Sequence, residues 1–174
     1  ALLAETYVAR YASEGKEAYE RIAAAFPALE SSLLLRAQNN RIVAHYERGL
    51  SAIAAAATRR EAKGHLLAVA KHDAHAVLSE RAAWARPFAD LVLAGAAALE
   101  GRDDDAVLAL GRAETSFRQG DMKLYAAAAR TARGQRLGGA SGEFLVRSAA
   151  EVFRAEGVSD PSAFAAMLAP GFSA

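Results

Sequence analysis

The sequence predicts an all-α fold: a right-handed, tetratricopeptide-like solenoid of about four antiparallel helical hairpins, finished by a short C-terminal capping helix. Three observations lead there. Alanine supplies about a quarter of the chain while proline occurs only 4 times, so the best helix former is abundant and the strongest breaker scarce. Apolar residues recur at spacings of three and four, the period of a helix with one buried face. Most glycines and prolines fall between these stripes. Aromatic residues, at 7%, and scattered β-branched residues leave little material for strands. So much alanine suits closely packed helices, because small side chains let the axes approach.

The elements follow in chain order. Leu3, Tyr7 and Tyr11 form a helical stripe that Gly15 breaks. A second helix is predicted from about Lys16 to Phe26, where Pro27 ends it. The third and longest runs from Leu29 to about Thr58, with Leu29, Leu33, Val43, Tyr46, Leu50 and Ile53 on its apolar side. The fourth spans about Arg60 to Glu80. Trp84-Ala85-Arg86-Pro87 opens the fifth, with Pro87 in the first turn, where a missing N–H is harmless. Gly101 closes it. Asp103-Asp104-Asp105 starts the sixth, as N-cap and as partner of the helix dipole. After Gly120-Asp121, a helix runs from Met122 to about Arg136. Leu137 to Gly142 reads as a loop, Glu143 to Ala155 as a helix, and Gly157 as its stop. Asp160-Pro161 caps a last short helix, Ser162 to Leu168. The hairpins are thus about 2–28, 29–80, 84–118 and 121–156, with a cap at 160–169, all in one domain. Its expected task is to cover the flank of the last hairpin around Phe144, Val152 and Phe153.

Charge and composition exclude several classes of function. Lys and Arg number 21 against 20 Asp and Glu, a formal charge of +1, without the basic excess expected of a nucleic-acid binder. With no cysteine there is no disulfide framework, thiolate nucleophile or cysteine zinc site. The opening Ala1-Leu2-Leu3-Ala4 is too short for a signal segment. The longest uncharged apolar run is Leu91 to Leu99, against the roughly 20 residues of a membrane span. A cytoplasmic location and no membrane partner are therefore expected. The chain begins with Ala rather than Met, so it is expected to be part of something longer.

Internal repetition supports the solenoid. Gly15 and Gly101 each stand between two amphipathic helices. Ala106, Leu110 and Ala113 follow Gly101 at tetratricopeptide spacings, and Leu93 and Ala97 extend the pattern backwards. The match is best over 84–118, weaker over 2–28, and departs at 29–80, where the helices are longer and no glycine marks the turn.

Several strings carry a resemblance: Ala83-Trp84-Ala85-Arg86-Pro87, Leu99-Glu100-Gly101-Arg102, and Asp121-Met122-Lys123-Leu124-Tyr125 running into Arg130 and then Gly138-Gly139. The C-terminal stretch adds Ala155-Glu156-Gly157-Val158-Ser159-Asp160-Pro161 and Met167-Leu168-Ala169-Pro170-Gly171-Phe172. Together they resemble the C-terminal tetratricopeptide-like region of large bacterial Ser/Thr protein kinases. Related tails occur in ATPase-plus-repeat transcription regulators. The resemblance implies a kinase domain and an ATPase-type module upstream. The chain itself has no Gly-rich phosphate loop, His-Arg-Asp string or Asp-Phe-Gly, so kinase chemistry would lie outside it.

No nucleophile–base pair emerges, and no catalytic residue, cofactor or metal is assigned. His65, His72 and His75 share a helix with Asp73, but at spacings of seven and three rather than the i, i+4 of helical metal sites; an exposed polar face accounts for them. The acidic run 103–105 lacks the alternating ligands and central glycine of a calcium loop. Lys123, Arg130 and Arg133 form a basic stripe, with Arg136 just off it, suited to a carboxylate or an acidic peptide in a superhelical groove; a solvated face is the other reading. Gln38, Asn39 and Asn40 place amides in mid-helix, either lining such a groove or facing solvent. Trp84, Tyr125 and Phe144 are expected in the core. The function expected is a non-catalytic interaction or regulatory module. Its partner would be a protein or peptide segment, the parent chain itself, or a second copy in a weak dimer through the N-terminal hairpin. The alternatives are a small-ligand sensor domain and the repeat tail of a regulator.

Overall fold

The computed structural model describes residues 2–172. These contain nine α-helices, two 3-10 turns and no strand. The helices are α1 (Leu2–Tyr11), α2 (Gly15–Ser31), α3 (Gln38–Thr58), α4 (Lys63–Ser79), α5 (Arg86–Leu99), α6 (Asp103–Gln119), α7 (Lys123–Leu137), α8 (Gly139–Ala155) and α9 (Pro161–Leu168). The 3-10 turns are Leu33–Arg36 and Ala83–Ala85. From α1 to α8 each helix packs on the next, and α1 touches α3 as α3 touches α5. Gly101 (φ 79°) and Gly157 (φ 82°) end α5 and α8 in the left-handed region. There the amides of Arg102 and Val158 reach back to Ala97 O and Phe153 O, closing each helix in a Schellman turn.

The core is one continuous apolar cluster from Ile42 to Phe172, rich in alanine. Phe88 sits at its aromatic centre, edge-on to Tyr46, Phe117 and Tyr125 at 4.8, 5.0 and 5.0 Å between ring centroids. Close helix contact requires small residues at defined points: a Cβ on Gly95 would lie 2.7 Å from Ile53 Cγ2, and one on Gly134 2.6 Å from the carbonyl of Gly142.

The structure corrects several expected boundaries. Pro27 lies inside α2, which continues to Ser31. A proline this near the end removes one backbone bond on an exposed face, while Ile22 and Phe26 stay fully buried and hold the helix. The predicted helix 29–58 is divided among three elements: the end of α2, the 3-10 turn Leu33–Arg36 and α3. Ser32 ends α2 and accepts the amide of Leu34 to start the first 3-10 turn, so Gln38, Asn39 and Asn40 open α3 rather than interrupt it. The expected loop 137–142 shrinks to Gly138, and α8 begins at Gly139. Arg102, not an aspartate, occupies the cap position before α6; the three aspartates fill its first turn. Trp84 and Phe144 are 44% and 62% exposed and do not belong to the core.

The C-terminal segment is held differently from expectation. Asp160 accepts the Ala163 amide at 3.0 Å and Pro161 sits in the first turn, as the sequence indicated. However, α9 packs chiefly on α7 and α1. Of the predicted flank, Phe153 meets Phe164 edge-on at 5.7 Å, while Phe144 stays exposed. Beyond α9, Gly171 lies against Ile53 and Leu99, and Pro170 against Gly95. The segment therefore spreads over the face that α1, α3, α5 and α7 share. That face offers a short helix far more apolar contact than the edge of α8 does.

Candidate functional site

The amides that open α3 are mostly engaged with backbone. Gln38 Nε2 donates to Glu80 O at 2.9 Å and Asn40 Nδ2 to Leu34 O at 2.9 Å. Asn39 makes no side-chain hydrogen bond among the described residues; with Asn40 it borders a hollow of about 500 Å³ walled by Leu2, Leu29, Leu34, Leu35 and Val43. Beside them Arg41 grips both oxygens of Glu80 at 2.6 and 2.8 Å. Those bonds hold the Glu80 carboxyl below its ordinary pKa.

The basic stripe of α7 is divided between two partners. Lys123 faces Glu156 at 3.4 Å on the surface. Arg130 Nε and Arg133 Nη1 each donate to Glu114 of α6 at 2.8 Å. Arg136 donates to Phe172 O at 3.1 Å and so holds the C-terminal segment. His65 and His72 are exposed beside a depression shared with Arg48 and Tyr19, and His75 bonds its own helix at Lys71 O. No group of three or more His, Asp or Glu converges on a metal-sized site among the described residues. No helix there is long and apolar enough to cross a membrane.

Two polar clusters escaped the sequence reading. The first lies beneath the C-terminal segment. Arg10, 3% exposed, donates to Ser51 Oγ at 3.0 Å and to Met167 O at 3.2 Å, and its Nη1 lies 2.8 Å from Glu47 Oε2. That ion pair is close but poorly aligned: neither Glu47 oxygen receives a directed hydrogen bond, and Arg10 Nη2 and the Tyr46 hydroxyl are also buried without one. The Tyr7 and Tyr125 hydroxyls meet at 3.4 Å. Burial, with the Glu47 charge assisting, raises the pKa of all three tyrosines. The second joins α3 to α4, where Asp73, fully buried, accepts from Arg48 Nε at 2.8 Å and Nη2 at 2.7 Å and lies 2.7 Å from His45 Nδ1. Arg48 also stacks on Phe26.

A surface of different character runs along the outward side of α6. An open depression of about 600 Å³ is lined by Arg86 and Asp90 of α5, Val107, Leu108, Gly111 and Arg112 of α6, and Arg133 and Leu137 of α7. Leu108 and Leu137 are 64% and 48% exposed. Arg86 makes no ion pair among the described residues. Asp90 is 4% exposed; its Oδ1 accepts from Arg112 at 3.1 Å, and its Oδ2 is buried with no donor. A buried carboxylate oxygen without a donor forgoes about 1–3 kcal/mol. Exposed apolar side chains and guanidiniums thus meet in one open depression, where Arg86 has no ion-pair partner among the described residues. No family model, no curated relative and no solved structure matches this chain.

Proposed function

We propose that this chain is a non-catalytic interaction module, a tetratricopeptide-like right-handed solenoid of four helical hairpins that docks a protein or peptide segment. The observation that carries this reading is the α6 surface, where Leu108 and Leu137 stand exposed beside Arg86 and Arg112. The face that α1, α3, α5 and α7 share is covered by the chain's own C-terminal segment. Docking is accordingly proposed on α6, with Arg133 at its edge, in preference to a groove lined by Gln38, Asn39, Asn40, Lys123 and Arg130. The placement of this module behind a bacterial Ser/Thr kinase rests on the sequence resemblance alone. The full reading frame tests it: a kinase signature upstream sustains the placement, and a DNA-binding domain favours the regulator alternative. A Leu108→Asp, Leu137→Asp variant tests the surface. It should keep the parent's circular dichroism and lose segments that the parent captures; unchanged capture sinks the reading.

A second reading, a small-ligand sensor, has one observation in its favour. The apolar hollow edged by Asn39 and Asn40 has the make-up of a site for a small apolar molecule with one or two polar groups. A thermal-shift screen with apolar amides and alcohols checks it, and Val43→Trp, which fills the hollow, should abolish any hit.

A further inference from the structure

We infer that the segment docking on α6 is acidic, placing a carboxylate on Arg86 and Arg112 and an aliphatic side chain between Leu108 and Leu137. This rests on the reading of α6 as a docking surface and adds the chemistry of the partner. Charge comes first. Arg86, Arg112 and Arg133 line the depression against the single carboxylate Asp90. Behind them Arg130 and Arg133 share Glu114. Four guanidiniums therefore face two carboxylates, leaving two positive charges (4 − 2) locally in a chain whose formal charge is +1. Arg86 has no internal partner, and Arg112 has spent one donor on Asp90. Planar guanidiniums with free N–H groups match a carboxylate in two-pronged fashion.

The apolar flank supplies the second, independent observation. A basic peptide would meet the guanidinium rim. Leu108 and Leu137 add an apolar contact that neither a free anion nor a polyacid would use.

The test is selection of random twelve-residue peptides displayed on phage against the immobilised protein. Individual clones are then measured by fluorescence polarisation on the parent and on Arg86→Glu, Arg112→Gln and Leu108→Asp variants, each first confirmed as folded by circular dichroism. The expected pool is enriched in Asp or Glu next to aliphatic residues. Its clones should weaken about tenfold or more on Arg86→Glu, the loss of one charge-assisted pair, weaken with added salt, and weaken on Leu108→Asp. Clones that need Leu108 but carry no acidic residue and ignore Arg86→Glu would overturn the acidic partner and leave the docking surface standing. No enrichment, or clones indifferent to all three variants, would overturn the surface itself and the inference with it.

Discussion

Glu47, Asp73, Asp90 and Glu114 are each nine-tenths or more buried, and each meets an arginine of a neighbouring helix. An alanine-rich core has little shape to fix the register of its helices, and these pairs supply directional contacts that alanine cannot. Breaking one from one side leaves an uncompensated buried charge, which costs about 3–5 kcal/mol. Glu47→Gln or Arg10→Met should therefore lower unfolding stability by that order in denaturant titrations. The double replacement Arg10→Met, Glu47→Leu should cost well below the sum, since both charges leave together; additive losses would deny the coupling. The half-buried Arg41–Glu80 pair acts through pH. The Glu80 pKa is lowered in the folded state, so its stabilisation is present above the ordinary value of 4.5 and is lost as pH falls through the lower folded value. Glu80→Gln should flatten the acid limb of a melting-temperature profile; an unchanged limb would show that the pair contributes nothing. The buried carboxylates were legible in part. Glu47 stands three or four residues from Val43 and Leu50, Asp73 from Ala70 and Val77, and Glu114 from Leu110 and Phe117, all within apolar stripes. A carboxylate on a buried stripe signals a buried pair, but a single sequence does not name the arginine that answers it, because the partner lies on another helix.

At the scale of helices, the number of elements and their order were readable because the period-3.6 stripes are long and their ends carry Gly101, Gly157 and Asp160-Pro161. Glycine misled where it serves contact rather than turning. Gly134 and Gly142 mark where α7 and α8 cross, backbone on backbone, yet in sequence Gly142 looks the same as a loop glycine, which is why 137–142 read as a loop. A contrasting pair of substitutions exposes the difference. Gly134→Ala pushes Cβ onto backbone that cannot yield and should cost about 1–3 kcal/mol. Gly64→Ala, in α4 with nothing within 4 Å of the new Cβ, should gain about 0.5–1 kcal/mol from helix propensity. Thermal melts reverse this order only if the two glycines have been misassigned. Helix α1 also presents Leu3, Val8 and Tyr11 at 41%, 68% and 41% exposure, an apolar edge suited to weak self-association. Sedimentation equilibrium should show a dimer at high concentration that Val8→Glu disperses; a monomer in both proteins would remove the N-terminal hairpin as a contact.

For the molecule as a whole, the decisive piece is the C-terminal segment, whose existence the sequence showed and whose destination it did not. Phe164, Met167 and Leu168 declared an apolar face, but amphipathicity specifies that a helix must be covered and not by what. The destination was set by carbonyls at a distance: Met167 O receives Arg10 from α1 and Phe172 O receives Arg136 from α7. The segment thereby ties the first helix to the seventh, across a face that also includes Ile53 of α3 and Leu99 of α5. Its buried side chains, Met167, Leu168 and Phe172, each contribute at most about 1.5–3 kcal/mol from burial, set against the entropy of ordering the segment. The loss on removal is larger than those side chains alone, because it also uncovers the apolar wall on which they rest and strips Arg10 of one acceptor. Truncation after Gly157 should therefore lower the melting temperature, increase binding of a hydrophobic dye and promote aggregation. A shorter truncation after Leu168 separates two roles. If the segment only finished the end of the last hairpin, keeping α9 would preserve stability. Because Phe172 is 1% exposed and its carbonyl anchors Arg136, the shorter truncation should already produce a substantial part of the melting-temperature loss. A Leu168 truncation that melts like the full chain would reduce the segment to an end cap and reopen the face of the odd-numbered helices to an external ligand.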